Sequence, residues 1–207
     1  MGNEQEIKVW DIAVRIFHWL LALSFFIAYL SGEEEDLLHV YSGYIVFGLI
    51  LFRILWGFIG TRHARFRDFI YGPKATTAYI KSIFSRKPIH YMGHNPIGGW
   101  MVILLMLSLL AVSWSGLELY ASEGKGPLAN ADYSLVNKAL ANGDDNDEKD
   151  GRGGKAEGDE FWEDIHEASA EFTLFLILVH IFGVLIASAI HKENLIRSMI
   201  TGKKQRQ

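Results

Sequence analysis

The chain of 207 residues contains no cysteine. That absence excludes disulfides, thiolate zinc sites, iron–sulfur clusters and haem attached covalently through C-x-x-C-H. Net charge is also scarce: 20 Lys and Arg against 24 Asp and Glu leave −4, with a pI near 6.1. Such a balance lacks the basic footprint of a nucleic-acid binder. The mean hydropathy of +0.13 is bland, but the residues behind it are sorted. Charges are almost missing from four apolar blocks, about 12–31, 38–59, 97–119 and 168–190. Each is long enough to cross a bilayer core of about 30 Å, which takes roughly 20 apolar residues. The expected fold is all-α, one integral membrane four-helix bundle. The first block lacks a basic opening and a small-residue cleavage site and contains His18, so it reads as a retained span. The third opens with Asn95-Pro96, an N-cap followed by proline at the first helical position.

The charges segregate by side. The N-terminus, the 60–96 connection, the C-terminus and helix-end Arg15 and Arg53 hold 15 of the Lys and Arg residues against five acids, about +10. The 31–38 turn and the stretch 118–171 hold 19 acids against five cations, −14. Positive-inside bias then places both termini and the basic 60–96 connection in the cytoplasm of a multi-pass inner-membrane protein. Because long loops are discounted, the Glu33-Glu34-Glu35-Asp36 turn and the 60–96 connection decide the orientation. Within that connection, residues 73–87 set Tyr79, Ile80, Ile83 and Phe84 on one side, as in a helix lying on the inner leaflet or an ordinary connector. Residues 122–160 form an acidic periplasmic loop, with an expected disordered part around 141–159.

Ligating side chains inside a span are costly and point to function. His18 lies in the first span, His39 at the mouth of the second, and His166 and His180 belong to the fourth; the third has none. Fourteen residues at roughly 100° each bring His166 and His180 to one helix face, about 21 Å apart along the axis. Chain direction puts His18 level with His180 near the cytoplasmic side, and His39 level with His166 near the outer side. Two His–His pairs at two depths are the pattern expected for two bis-histidine b-type haems held between the helices. Small residues lie one turn along from each histidine: Ala22, Gly43, Ala170 and Gly183. Ser169, Thr173, Val184, Ala187 and Ser188 continue the small stripe on the fourth helix. Arg53 follows His39 by fourteen residues and places a cation at the inner depth, where a haem propionate needs one, and Arg15 is a second candidate. Hydrogen-bonded structural histidines with snorkelling arginines are the competing reading. His63 and His191 are expected to be solvated or lipid-facing. His90 and His94 precede the third helix, and His94 suits either a quinone or propionate site or a contact at the helix start.

Several segments carry a family resemblance: R-I-F-H-W, L-L-H-V-Y-S-G-Y, F-R-I-L-W-G-F-I-G-T-R-H-A-R-F, G-H-N-P-I-G-G-W, F-W-E-D-I-H-E, L-V-H-I-F-G-V and S-A-I-H-K-E-N-L-I-R-S-M-I-T-G. Together they resemble the bacterial cytochrome b561 family, which includes the cytochrome b subunits of nickel–iron hydrogenases. The likeness covers nearly the whole chain except about 122–158. It implies a four-helix di-haem b protein of the inner membrane passing electrons between a periplasmic redox partner, a c-type cytochrome or a dehydrogenase or hydrogenase, and the quinone pool. It implies the same ligands, His18 with His180 and His39 with His166, and a quinone site near the cytoplasmic haem.

The 122–158 insert departs from the family pattern. Asn146, Glu148 and Asp150, with Gly151 and Glu157, match the spacing of a calcium loop. An acidic surface that docks a basic partner such as a c-type cytochrome is the preferred reading. Two other functions compete with electron transfer. One is a stand-alone superoxide:quinone oxidoreductase, disfavoured by the acidic outer face. The other is a haem-free transporter whose histidines relay protons.

Overall fold

A computed structural model describes residues 6–32, 37–85, 88–129 and 153–205. Four of its helices are long and apolar enough to cross a membrane: α1 (Ile12–Leu30), α2 (Leu37–Ile59), α4 (Pro96–Ser122) and α5 (Gly153–His191), whose apolar part is Glu160–His191. Two short helices, α3 (Pro73–Phe84) and α6 (Leu195–Thr201), and a strand pair, β1 (Glu6–Lys8) with β2 (Lys203–Gln205), complete the described elements with two 3₁₀ turns. The chain divides into two compact units, residues 1–107 with 175–207, and residues 108–174.

In the first unit, α1 and α2 pack on narrow stripes. Ser42, Val46, Ile50, Arg53 and Gly57 recur every three or four residues and are the buried positions of α2. On α1 the buried positions are Val14, Phe17, Ser24 and Phe25. Their remaining faces stay apolar yet exposed, with Leu30, Leu55, Phe58 and Ile59 all more than half accessible. A helix apolar on both its packed and its open face suits hydrocarbon rather than water. Asp11 sets where α1 begins: its carboxylate accepts from the Val14 amide at 2.8 Å as an N-cap. The same carboxylate accepts from Trp56 Nε1 at 3.2 Å and from the Thr61 hydroxyl, which ties the start of α1 to the end of α2.

The strand pair is a departure from the all-α expectation. Ile7 pairs with Lys204 in an antiparallel ladder, and the Val9 and Trp10 amides donate to the Gly202 carbonyl at 2.9 and 3.1 Å. Two isolated strands are marginal in water. Here Val9, Trp10, Val14 and Ala64 form a buried cluster beside them, flanked by Trp56 and Met199. Gly202 has φ +80°, and an added Cβ would stand 2.7 Å from the Trp10 carbonyl, so the turn into β2 requires glycine.

Helix α3 starts with Pro73 at its first turn. The single apolar face read from its sequence is split, since Tyr79 is buried against the protein while Ile80 and Phe84 are exposed. Asn95 caps α4 by accepting from the Gly98 amide at 2.7 Å.

The second unit joins the later half of α4 to the earlier half of α5. Ser108, Leu109, Val112 and Ser115 are buried on α4, and Thr173 on α5. The Ser108 and Thr173 hydroxyls share a hydrogen bond, and Ser115 Oγ lies 3.4 Å from Ser169 Oγ. Small hydroxyl residues let two helices approach closely where apolar burial gives no drive. Helix α5 runs from Gly153, inside the stretch around 141–159 that the sequence marks as polar and anchor-poor. The run K-A-E-G-D-E-F-W-E-D is rich in helix formers and extends the span without needing a core of its own. Residues 130–152, with the calcium spacing Asn146, Glu148 and Asp150, lie outside the described residues, and Glu157 is described only as part of α5.

Candidate functional site

The first unit gathers an unusual number of unengaged polar groups at the helix ends nearest the strand pair. His18 on α1 is half-buried, edge-on to Trp19 at 5.1 Å between ring centres, and its Nδ1 is inaccessible and makes no hydrogen bond. His180, on the part of α5 in the same unit, lies within electrostatic reach of His18. Arg53 is 3% exposed, and its guanidinium stands over the rings of Phe66 and Phe69 at 5.4 and 5.6 Å. Two aromatic faces stabilise the cation, but its Nη1 remains buried without a hydrogen-bond acceptor.

His94 completes the group. Its ring packs against Trp10 and Phe69, with centres 4.7 and 4.8 Å apart, and its Nδ1 is likewise buried and unpartnered. Burial, followed by the positive charges of Arg53 and Lys204 and by His180 and His63, pushes His94 down to about 3, so the ring is neutral at physiological pH. Tight backbone contacts hold these rings: a Cβ at Gly57 would fall 2.1 Å from Phe66, and one at Gly99 would fall 2.1 Å from the Phe69 carbonyl.

Arg15 is already engaged, donating through its guanidinium to the Ile200 carbonyl at the end of α6 while its Nε stays unpartnered. That contact fastens α1 to the C-terminal helix, a role its spacing from His18 does not reveal.

His39 at the start of α2 shows a different environment. Its Nδ1 lies 2.9 Å from the Ala28 carbonyl oxygen of α1. A carbonyl only accepts, so Nδ1 carries the proton and Nε2 is the basic nitrogen. In the second unit His166 repeats this arrangement, with Nδ1 3.0 Å from the Val112 carbonyl and 3.1 Å from Ser115 Oγ. Metal-ligating histidines are commonly oriented in this way, through the nitrogen that does not bind. The α4 partners of His166 have no histidine beside them to mark them in the sequence. Gly116 is the clearest: a Cβ there would stand 2.8 Å from His166 Cε1, so a larger residue would have to displace the ring. The signal available was the small-residue run Ser113, Ser115, Gly116 inside an apolar span.

Beside His39 and His180 the space is open, since a Cβ at Gly43 or Gly183 would meet nothing within 4 Å. Thr173 and Ser169, part of the small-residue stripe of the fourth helix, donate along α5 and bond to α4 hydroxyls. His191 corrects the solvated expectation: its Nε2 lies 3.1 Å from the hydroxyl of Tyr79 on α3, and the two rings are stacked with centres 6.3 Å apart. His90 bonds Glu193 at 2.6 Å, and Lys204 bridges the other carboxylate oxygen at 3.4 Å.

The residues present fit a haem. Imidazoles with one nitrogen fixed to a carbonyl offer the other as a ligand, and a buried guanidinium lacking an acceptor suits a propionate carboxylate. Leaving such a cation unpaired costs more than the roughly 1–3 kcal/mol of a neutral orphan. Among the described residues no group of three or more His, Cys, Asp or Glu is placed to hold a bare metal ion.

The family model described as prokaryotic cytochrome b561 matches residues 9–202. Curated relatives titled "Probable Ni/Fe-hydrogenase B-type cytochrome subunit" align over almost the full length. The protein from Rhizobium leguminosarum bv. viciae is 24% identical, over 98% of this chain and 90% of its own. That from Azotobacter vinelandii is 24% identical over 97% and 89%, and that from Cupriavidus necator 21% over 94% and 85%. No solved structure matches the chain significantly. The family implies haem b and electron transport, and four apolar helices make the chain a multi-pass membrane protein. A match running from Val9 to Gly202, through all four spans, places this chain in the prokaryotic cytochrome b561 family.

Proposed function

We propose that the protein is a di-haem cytochrome b that passes electrons across the bacterial inner membrane between a periplasmic redox partner and the quinone pool. His18 with His180 would hold one haem, and His39 with His166 the other. When bound, each haem iron supplies a one-electron couple; the chain's contribution is to hold, orient and tune it. Arg53 neutralises a propionate of the haem on His18 and His180, and the Ala28 and Val112 carbonyls orient His39 and His166.

The observation that carries this reading is the buried, acceptor-less Arg53 in the same unit as the uncommitted rings of His18 and His94. Charge supports the orientation: the C-terminus and the 60–96 connection are basic, and the 31–38 turn is acidic, which argues for cytoplasmic termini. The names of the relatives favour a hydrogenase as the periplasmic partner, with a c-type cytochrome as the other candidate.

A reduced-minus-oxidised spectrum with haem quantification tests the proposal. The purified protein is expected to show a sharp α-band and two haems b per chain. His180→Ala is expected to remove one and retain the other. Absence of the α-band ends the haem reading, and loss of neither haem in His180→Ala refutes the pairing.

A further inference from the structure

Immediately past the end of α5 the chain builds a basic pocket that the haem reading does not use. It has a volume of about 220 Å³ and is lined by Lys192, Glu193, Asn194, Arg197, Ser198, Thr201, Lys203 and Lys204. Four cationic side chains face a single carboxylate. That carboxylate is already spent, because Glu193 is bonded by His90 at 2.6 Å and by Lys204 at 3.4 Å. Lys192 and Arg197 form no ion pair among the described residues. With Glu193 answered in this way, the pocket sets no further carboxylate against Lys192 and Arg197.

A second observation comes from the backbone. Lys192 has φ +53°, alone among the described non-glycine residues in being left-handed. The position ends α5, with the Glu193 amide donating to the Ser188 carbonyl at 3.1 Å. Glycine is the usual occupant of such a helix-ending site, and a lysine there is strained by its Cβ. The strain is tolerated at a residue whose side chain opens onto the pocket.

The third concerns what lies beside it. On α6, Ile196 and Ile200 are one turn apart and 47% and 54% exposed. Arg197, Ser198 and Thr201 occupy the adjoining sector of the same short helix, at roughly 100° per residue. An apolar ridge thus adjoins a cationic pocket at the point where a membrane span ends, at His191. A free anion has no use for the ridge, whereas a phospholipid presents a phosphate and acyl chains together.

We infer that this pocket binds the headgroup phosphate of an anionic phospholipid, with Lys192 and Arg197 as its principal donors and Ile196 and Ile200 against the acyl chains. Lys and Arg near a membrane surface each add about 1 kcal/mol toward anionic lipid, so losing both corresponds to roughly a thirtyfold weaker affinity. The inference is independent of haem number and ligation.

The test uses the full-length protein in a neutral detergent, titrated with phosphatidylglycerol, phosphatidylcholine or inorganic phosphate, with Tm as the readout. Phosphatidylglycerol is expected to raise Tm by several degrees, as a ligand that binds only the folded state does. Phosphatidylcholine and millimolar phosphate are expected to leave it unmoved. The double variant Lys192→Gly with Arg197→Gln is expected to need at least about tenfold more phosphatidylglycerol for the same rise. Lys192→Gly alone relieves the left-handed backbone and keeps or raises the lipid-free Tm, which separates lost binding from lost folding. A shift undiminished in the double variant, or one reproduced by free phosphate or phosphatidylcholine, overturns the inference.

Discussion

The Nδ1 atom of His39 lies 2.9 Å from the carbonyl oxygen of Ala28, so the ring of one span is oriented by the backbone of another. The contact fixes the tautomer and leaves Nε2 as the nitrogen with the lone pair. If His39 holds a haem, His39→Ala should halve the haem content per chain while the α-band of the remaining haem persists. Pyridine haemochrome quantification against protein concentration measures this, and an unchanged ratio removes His39 from the ligand set.

His166 is held both by a bond, from Nδ1 to the Val112 carbonyl at 3.0 Å, and by a hole. Gly116 leaves room for the ring, and a Cβ there would approach Cε1 to 2.8 Å. Gly116→Ala is therefore expected to displace the imidazole and weaken its contact with the Val112 carbonyl. Overpacking of this kind costs about 1–3 kcal/mol, outweighing the gain that alanine brings to a helix interior. Thermal unfolding should show the loss, and if His166 holds a haem the reduced spectrum should change at that haem.

Much of this was legible in the sequence, and what was not has a common cause. The spans announce themselves because hydrocarbon demands unbroken apolar runs, and the start of α4 because Asn95 and Pro96 are local signals. The histidines were legible as candidates because such groups are rare inside a span. What escaped was the pairing of residues far apart in the chain. Arg15 reaching the Ile200 carbonyl, Ile7 beside Lys204, His191 on Tyr79 and Ser115 on His166 leave no periodic trace. The extent of α5 was missed for another reason: its first two turns are polar and carry no apolar period.

Arg53 offers a test of depth. If Arg53 neutralises a haem propionate, removing this cation makes reduction of that haem's iron harder, whereas a haem farther away feels little of the change. An effect of about 1 kcal/mol corresponds to roughly 40 mV for one electron. Arg53→Leu is expected to lower the potential of the haem assigned to His18 and His180 by this order and to leave the other within error. A redox titration in which only the haem assigned to His39 and His166 moved would reverse the depth assignment.

The buried Glu193 joins three parts of the chain, accepting from His90 and from Lys204, and both Glu193 and Lys204 are 8% exposed. Truncating one partner of such a pair leaves the other charged and unanswered, a loss of about 3–5 kcal/mol. Glu193→Ala should therefore lower Tm markedly, while Glu193→Ala combined with Lys204→Met should recover much of the difference. A double variant no more stable than Glu193→Ala would show that Lys204 does not depend on this carboxylate.

Asp11 gives the pH dependence. Partial burial raises its affinity for a proton, but hydrogen bonds from Thr61, Val14, Trp56 and Ala13 outweigh burial and hold the carboxyl below its usual 3.8. A folded-state value below the unfolded one means that the stabilisation is complete above about 3.8. It is lost as pH falls through that value, because the unfolded chain then takes the proton first. Asp11→Asn keeps a side-chain oxygen for the Val14 amide but removes the charge that strengthens all of these bonds. At pH 7 it should cost less than the roughly 1 kcal/mol of deleting the cap with alanine. On acidification below 3.8 the gap between wild type and Asp11→Asn should close. A gap independent of pH would show that the asparagine disturbs cap geometry rather than charge.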